Sequence, residues 1–280
     1  MTASSLPYPN VLVIAATGKT GRRVAPLLEA KGVNIRRGSR SSSPAFDWAL
    51  RDTWAPALSS MDAAYVVYLP DPALPGAAED IRAFAEVAKQ QGVGKLVLLS
   101  GRGVMRSETA EQAITGSGLD WTLVRAAWFN QNFTEGDFAD QVRGGTITLP
   151  MADFVEPIID ADDIAEVVAE TLTSTKYNGE TLNLTGPVSI THAQIAAYLS
   201  RASGRQIDYA PISMDEFRAA LTEAQLPSEY IGLLLHLFEI TRSGVNAEPT
   251  NEVERVLGRP ATSFEAFASR AASNGELGVR

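Results

Sequence analysis

The sequence predicts an α/β fold, a doubly wound parallel sheet covered by helices and followed by a smaller C-terminal α/β lobe. Short apolar strands and amphipathic helices alternate up to about residue 126, and a glycine-containing turn joins the first strand to the first helix. The alternation then loosens. We expect residues 1–150 to form a Rossmann-like sheet domain and residues 151–280 to form the lobe, with some of its strands returning to the main sheet.

The opening elements form a strand–helix–strand unit. Residues 11–15 are a compact apolar run, which is typical of a strand buried on both faces. Residues 22–31 carry apolar side chains at helical spacing and stop at Gly32, and residues 33–37 predict a second strand. The alternation continues as strand 64–69, helix 77–91, strand 95–99, helix 109–115 and strand 121–124.

In the predicted lobe, helix starts are clearer than strands. Two capping boxes, Thr191 with Gln194 and Ser213 with Glu216, predict helix N-termini because each pair can satisfy the first backbone N–H groups reciprocally. The other expected elements are a helix that begins near Asp162, a helix over 228–241, and short strands at 146–149 and 181–184.

Composition argues against several kinds of partner. The chain has 33 Asp and Glu residues against 24 Lys and Arg, and its net charge of −9 disfavours nucleic acid and anionic membranes. It has no cysteine and two histidines, so we expect no disulfide and no metal site. No apolar run reaches the roughly 18 residues of a membrane span. The N-terminus lacks a secretory pattern, so we expect a cytoplasmic protein. We expect it to be a monomer or a homodimer.

The turn after the first strand predicts a dinucleotide site. In VLVIAATGKTGRRV, Ala15, Gly18 and Gly21 stand where a G-x-x-G-x-x-G pattern has glycines. Glycines let the backbone approach a pyrophosphate, and the following helix N-terminus attracts its charge. The methyl group of Ala15 should narrow the turn. Three further side chains are candidates for contacts here: Thr17, Lys19 and Thr20.

The end of the second strand favours NADP(H). Proteins that bind NAD usually place an acid about 20 residues beyond the turn, where it holds the ribose 2′-hydroxyl. Residues 35–40 contain three arginines and one serine but no acid, and guanidinium donors suit a 2′-phosphate. Arg40 and Ser39 are the first candidates and Arg37 is the next. NAD(H) remains the alternative.

Several motifs in order resemble the NmrA-like atypical short-chain dehydrogenases over nearly the whole chain. They are VLVIAATGKTGRRV, GSRSSSP, FDW, VLLSGRG, SGLDWTLVRAAWFNQNF and IIDADDIA. The combination of GKTG, GSRS and FDW is most similar to the branch that contains the ergot-alkaloid festuclavine and agroclavine dehydrogenases.

The resemblance implies roles for individual residues. Asp47, after the third strand, would face the adenine with Trp48 beside it. Leu69 and Pro70 would line the cofactor groove, and Ser100 would lie near the nicotinamide ribose. Five residues would border the nicotinamide and the substrate, with core packing as the alternative for the aromatic ones: Trp128, Phe129, Asn130, Asn132 and Phe133. Of all these, Ser100, Trp128 and Phe129 are the candidates for catalysis.

The usual acid–base pair of short-chain dehydrogenases is missing. None of the seven tyrosines has a lysine four residues later, and Ser107, followed by Glu111, stands where family members often carry a lysine. A plain ketone needs a proton on reduction, whereas an iminium does not, and a quinone or conjugated carbonyl spreads the developing charge. The sequence therefore favours a reductase that acts on such carbons in an aromatic or cyclic molecule. The alternative is a non-catalytic dinucleotide sensor that acts through a protein partner.

The two histidines are expected to differ in position. His192 follows the predicted N-cap Thr191 and should be exposed in the first turn of its helix. His236 lies among leucines and should be partly buried. It is therefore the better histidine candidate for the substrate pocket.

Overall fold

The computed structural model describes residues 6–136 and 138–278. The strands are β1 (Asn10–Ile14), β2 (Asn34–Gly38), β3 (Ala63–Val66), β4 (Lys95–Gly101), β5 (Asp120–Ala126), β6 (Thr146–Ile147), β7 (Val155–Glu156), β8 (Glu180–Leu184), β9 (Ile190–Thr191) and β10 (Asp208–Tyr209). The α-helices are α1 (Gly21–Ala30), α2 (Trp54–Leu58), α3 (Ala77–Gln90), α4 (Glu108–Thr115), α5 (Asn132–Glu135), α6 (Ala139–Gly144), α7 (Ala161–Thr173), α8 (His192–Ser203), α9 (Met214–Glu223), α10 (Ser228–Arg242), α11 (Glu252–Leu257) and α12 (Phe264–Ser273).

The main sheet has six strands in the order β2-β1-β3-β4-β5-β8. The first five pair in parallel, and β8 lies beside β5. β1, β3 and β4 are buried along most of their length, which explains their continuous apolar runs. The predicted Rossmann-like parallel sheet is confirmed.

The helices of the sheet domain bury one face each. On α3 the buried side chains recur at helical spacing: Ala77, Ile81, Phe84, Ala85 and Ala88. Helix α1 packs against α7, which comes much later in the chain. The periodicity that predicted α3 is therefore the periodicity of its buried face.

The chain divides into two compact units whose segments alternate. Unit one comprises residues 6–126, Ala161–Asn183 and Arg255–Gly258. Unit two comprises Ala127–Asp160, Leu184–Glu254 and residues 259–278. Each unit has its own apolar core. The sequence prediction, by contrast, placed a single soft boundary near residue 150.

Most predicted elements agree with the observed ones to within one or two residues. Both capping boxes form, with each N-cap side chain accepting from the N3 backbone and each N3 side chain accepting in return. The predicted strand 64–69 is shorter, because β3 ends at Val66. Asp47 was placed after the third strand, and this is wrong: it lies between β2 and β3. Along the described chain no helix has both the length and the apolar character needed to cross a bilayer.

Candidate functional site

The glycine-containing turn leaves the carboxyl end of β1, where the strand order reverses between β2 on one side and β3 on the other. Open α/β sheets bind ligands in the crevice at such a point. Ala15 has a φ of 53°, in the left-handed region that costs a non-glycine residue roughly 1 kcal/mol. Its carbonyl accepts a hydrogen bond of 2.8 Å from the Gly18 N–H. Alanine thus adopts here the conformation that the glycine of the pattern would have.

The two glycines of the turn have different reasons to be glycine. A Cβ on Gly21 would lie 2.2 Å from the Ala15 carbonyl oxygen, so the helix start passes too close to the turn for any side chain. A Cβ on Gly18 would meet, among the described residues, that oxygen at 3.2 Å and the Ala15 Cβ at 3.8 Å. Gly18 therefore leaves one side of the turn open. The first turn of α1 carries no acid, so this open side fits a pyrophosphate.

The side chains of the turn differ in how far they are exposed to solvent. Thr17 is exposed and Lys19 is half-buried. Thr20 is buried, and its hydroxyl accepts a 3.0 Å hydrogen bond from the Tyr65 hydroxyl. Thr20 therefore also supports the core, while its predicted contact with the dinucleotide stays a prediction.

The three arginines at the end of β2 are committed to different extents. Arg36 donates to the carbonyl oxygens of Ala57 and Ser59 at 2.9 and 2.7 Å. Arg37 forms a two-pronged ion pair with Glu29 at 2.9 and 3.1 Å. Arg40 is exposed, and no hydrogen bond or ion pair holds its side chain among the described residues. Of the predicted 2′-phosphate ligands, Arg40 thus has the guanidinium that is not already held.

Asp47 and Trp48, predicted to lie near the adenine, are held by the protein. The Asp47 carboxylate accepts from the Ala49 N–H at 3.0 Å, and the Asp47 carbonyl accepts from the Trp54 indole at 2.9 Å. Trp48 is buried, and its ring meets Phe84 at a centroid distance of 5.2 Å. These contacts explain both residues without a ligand, and their role toward adenine stays a prediction. The other two groove candidates, Leu69 and Pro70, are exposed beyond β3.

A buried hydroxyl lies near the carboxyl end of β4, at the same sheet edge as the turn. Ser100 is 5% exposed, and its Oγ has no hydrogen-bond partner among the described residues. Ser107 is fully buried, and its Oγ also has no hydrogen-bond partner among the described residues. A buried hydroxyl without a partner costs about 1–3 kcal/mol, so such groups often mark the place of a water or a ligand. Ser100 therefore remains a candidate for contact with a ligand, because its hydroxyl is buried and has no partner in the described part of the chain.

Glu111 is held by one partner, the Arg125 guanidinium. It is buried, and both of its oxygens accept hydrogen bonds from the Arg125 guanidinium, at 2.9 Å from Nε. These bonds raise the pKa of Arg125. The Glu111 carboxylate is therefore occupied by Arg125.

An aromatic cavity lies within unit two. It is lined by Trp128, Phe129, Asn132, Phe133, Phe138, Met151, Glu156, Ile158, His192, Phe238 and Thr241. The Trp128 and Phe238 rings are stacked with their centroids 5.0 Å apart. The Trp128 indole N–H donates to the Thr241 hydroxyl at 3.0 Å, and that hydroxyl donates to the Leu237 carbonyl. One wall of the cavity is therefore a flat ring of fixed orientation.

His192 is a buried group of this cavity, and its predicted exposure is wrong. It is 6% exposed, with its ring centroid 6.1 Å from Phe133 and 5.8 Å from Tyr209. Burial lowers the pKa of His192 to about 4, so the imidazole is neutral at neutral pH. Its Nδ1 has no hydrogen-bond partner in the described part of the chain. His236 is half-buried on α10 and is not among the lining side chains.

Asn130 is placed differently from its predicted neighbours. It is fully buried, its backbone N–H donates to the Ile159 carbonyl at 2.8 Å, and it does not line the cavity. Neither its amide oxygen nor its amide nitrogen has a partner within residues 6–136 and 138–278, and the same holds for the hydroxyl of Thr134. Buried polar groups without a protein partner are suited to an ordered water or a polar ligand.

Family models match both parts of the chain. The model described as NmrA-like family matches residues 108–268. The chain belongs to the NmrA-like family. A second model, described as NAD(P)H-binding, matches residues 15–175 and so begins at the turn. The resemblance inferred from the motifs is confirmed.

The relatives of this NmrA-like protein carry names that describe different activities or roles. It is 29% identical to "Prestalk A differentiation protein A" of Dictyostelium discoideum, over 95% of this chain and 93% of the relative. It is 30% identical to "Agroclavine dehydrogenase" of Claviceps fusiformis, over 93% and 96%. It is also 30% identical to "(4-alkanoyl-5-oxo-2,5-dihydrofuran-3-yl)methyl phosphate reductase" of Streptomyces griseus, over 92% and 96%.

Solved structures share the fold. The triphenylmethane reductase of Citrobacter sp. complexed with NADP(H) gives a TM-score of 0.75 at 16% identity, over 94% of this chain and 99% of that one. At this identity the likeness speaks for the fold of the NmrA-like protein alone.

The structure brings four predicted residues of the NmrA-like protein together in one cavity: Trp128, Phe129, Asn132 and Phe133. Sequence reasoning did not single out Glu156, and it favoured His236, whereas the structure places His192 in the cavity lining. A signal for Glu156 was present, because it is a lone acid in the apolar run FVEPII. Glutamate is almost never fully buried unless it is paired, so an acid within an apolar run indicates a position with special surroundings.

Proposed function

We propose that this protein is an NADPH-dependent reductase that delivers hydride to an electron-poor carbon of a small aromatic or cyclic molecule. The carbon belongs to an iminium, a quinone or a conjugated carbonyl group. The observation that carries the proposal is the aromatic cavity of unit two, in a chain that also matches an NAD(P)H-binding family model. The names of the relatives support it, because two of them are a dehydrogenase and a reductase.

In the proposed hydride transfer, the main task of the protein is to position the acceptor against the dinucleotide. When bound, the reduced dinucleotide supplies the hydride. Trp128, whose ring is fixed by Thr241 and Phe238, orients a flat acceptor, and Phe129 and Phe133 help to exclude water. Positioning of this kind supplies much of the acceleration in a reaction without a dedicated acid. This agrees with the missing tyrosine–lysine pair and with Glu111 being held by Arg125.

Preference for NADPH over NADH is proposed on the basis of Arg40. Loss of a charged hydrogen bond costs about 1.5–3 kcal/mol, which is roughly one to two decades of affinity. We therefore expect Arg40→Ala to weaken NADPH binding by about 10- to 100-fold and to leave NADH binding unchanged, measured by calorimetry. Arg218→Ala is the control, since it removes an exposed arginine from α9, which belongs to the other unit. Equal losses for the two cofactors, or none for either, would reject this role of Arg40.

The reductase is tested by NADPH oxidation at 340 nm with a panel of quinones, cyclic iminium ions and enones, with the products identified by mass. We expect turnover with at least one of these classes. No turnover with any class, together with distinct affinities for NADPH and NADP⁺, would instead support a dinucleotide sensor that acts through a protein partner.

A further inference from the structure

We propose that His192 determines specificity by accepting a hydrogen bond, at Nδ1, from an O–H or N–H group of the flat molecule bound against Trp128. The inference rests on the proposed function, since it takes that molecule to be the one that is reduced. It adds a requirement that the proposed function does not contain. The substrate carries a hydrogen-bond donor as well as the electron-poor carbon that receives the hydride.

The first argument is that His192 brings an unsatisfied polar atom to the cavity. The residue is 6% exposed and belongs to the lining, and its Nδ1 has no hydrogen-bond partner among the described residues. The other polar side chains of the lining are engaged within the protein: Trp128 donates to Thr241, and Asn132 and Glu156 have interactions of their own. A buried polar group without a partner often marks the place of a ligand or an ordered water. His192 is therefore a lining residue that a ligand can satisfy.

The second argument is that the imidazole is held in place by the fold. His192 is the first residue of α8, and the capping box of Thr191 fixes the start of this helix. The ring centroids of Phe133 and Tyr209 lie 6.1 and 5.8 Å from that of the imidazole. A hydrogen-bonding group that is already oriented loses little conformational freedom on binding, so its bond contributes to affinity and to discrimination between ligands.

The third argument is the protonation state of the ring, which decides what the ligand must offer. Burial lowers the pKa of His192 to about 4, so the imidazole is neutral at pH 7 and has one N–H and one lone pair. We assign the proton to Nε2, the tautomer that a free neutral imidazole favours in water, which makes Nδ1 an acceptor. A ligand with a donor at this place satisfies Nδ1, whereas a ligand with a methyl group there leaves it unpaired.

The test measures the binding of two uncharged bicyclic ligands by calorimetry at pH 7, without NADPH. 6-Hydroxyquinoline has a donor where 6-methylquinoline, which has nearly the same shape, has a methyl group. His192→Phe keeps an aromatic ring and removes the acceptor, and His192→Asn presents an amide at about the position of Nδ1. The control is Tyr209→Phe, which removes a hydroxyl held by the Leu149 carbonyl and keeps the ring beside His192.

We expect the wild type and Tyr209→Phe to bind 6-hydroxyquinoline at least about tenfold more tightly than 6-methylquinoline, because one net hydrogen bond contributes about that factor. His192→Phe should bind the two ligands equally and should keep its affinity for 6-methylquinoline within about threefold of the wild type, since only the bond is lost. His192→Asn should restore part of the preference. Circular dichroism checks that each variant is folded.

Three results would overturn the proposal. The first is a wild type that binds neither ligand or binds both equally. The second is a preference that His192→Phe retains, because the donor would then be recognised by another group of the lining, such as Glu156. The third is an equal loss of both ligands in His192→Phe and His192→Asn, which would show that the ring only packs.

The reductase is judged separately, by the NADPH oxidation assay. Recognition of the hydroxyl through His192 without turnover of any hydride acceptor would support this inference and overturn the reductase. Turnover without that recognition would overturn this inference and leave the reductase standing.

Discussion

Acid should destabilise this protein through one side chain, His192. Its pKa is about 4 in the folded chain and 6.5 when unfolded. The unfolded chain therefore binds the additional proton over the range between these values, and stability falls as the pH drops from about 6.5 toward 4. Linkage gives a loss of about 2 kcal/mol between pH 7 and pH 5, and about 3 kcal/mol by pH 4.

The assay is urea unfolding at pH 7 and pH 5, followed by circular dichroism. His192→Phe removes the titrating group and keeps an aromatic ring beside Phe133 and Tyr209, and His192→Leu is a smaller second variant. Carboxylates are common to all the proteins, so the difference between wild type and variant isolates the imidazole. We expect both variants to lose about 2 kcal/mol less than the wild type between the two pH values. A pH dependence identical to that of the wild type would refute the argument.

Two other predictions concern the turn and the cavity wall. Gly18→Val should abolish dinucleotide binding in calorimetry while the circular dichroism spectrum stays native, because a Cβ on Gly18 would meet only Ala15 among the described residues and would point toward the open side of the turn. Unchanged affinity would place the cofactor elsewhere. Trp128→Ala should lower turnover by about a hundredfold with cofactor affinity intact, since misplacement of the acceptor by about 1 Å costs that much. Thr241→Val removes the hydrogen bond to the indole but keeps the ring, so it should cost far less, and equal losses for the two variants would contradict the proposed stacking role.

Local signals explain what could be predicted from the sequence. Thr191 with Gln194 and Ser213 with Glu216 start helices by contacts made within four residues, so their helix starts followed from the sequence alone. The buried strands of the main sheet are likewise visible as apolar runs. The site residues taken from the family resemblance remain predictions where no contact of this chain bears on them.

Contacts between distant segments explain what could not be predicted. The cap at Thr191 shows that a helix begins, but not that His192 faces Phe133, nearly sixty residues earlier. Glu156 is buried because β7 pairs with β9, two strands of two residues each, too short for any periodicity to be seen. Arg36 and Arg37 are held by protein groups, whereas Arg40 is not. This difference depends on distant segments, because Arg37 pairs with Glu29 of α1 and Arg36 donates to carbonyl oxygens in and just after α2.

The alternation of segments between the two units has a consequence for synthesis on the ribosome. Strand β5 is complete at Ala126, but β8, which covers its outer side, ends nearly sixty residues later. Helix α7, which packs on α1, ends nearly fifty residues later. Until β8 forms, β5 is an open edge with unpaired backbone groups, which can recruit strands of other chains. A truncated fragment that ends near residue 150 would keep that edge permanently. Nascent chains stalled in this interval should therefore depend on chaperones more than the finished protein does.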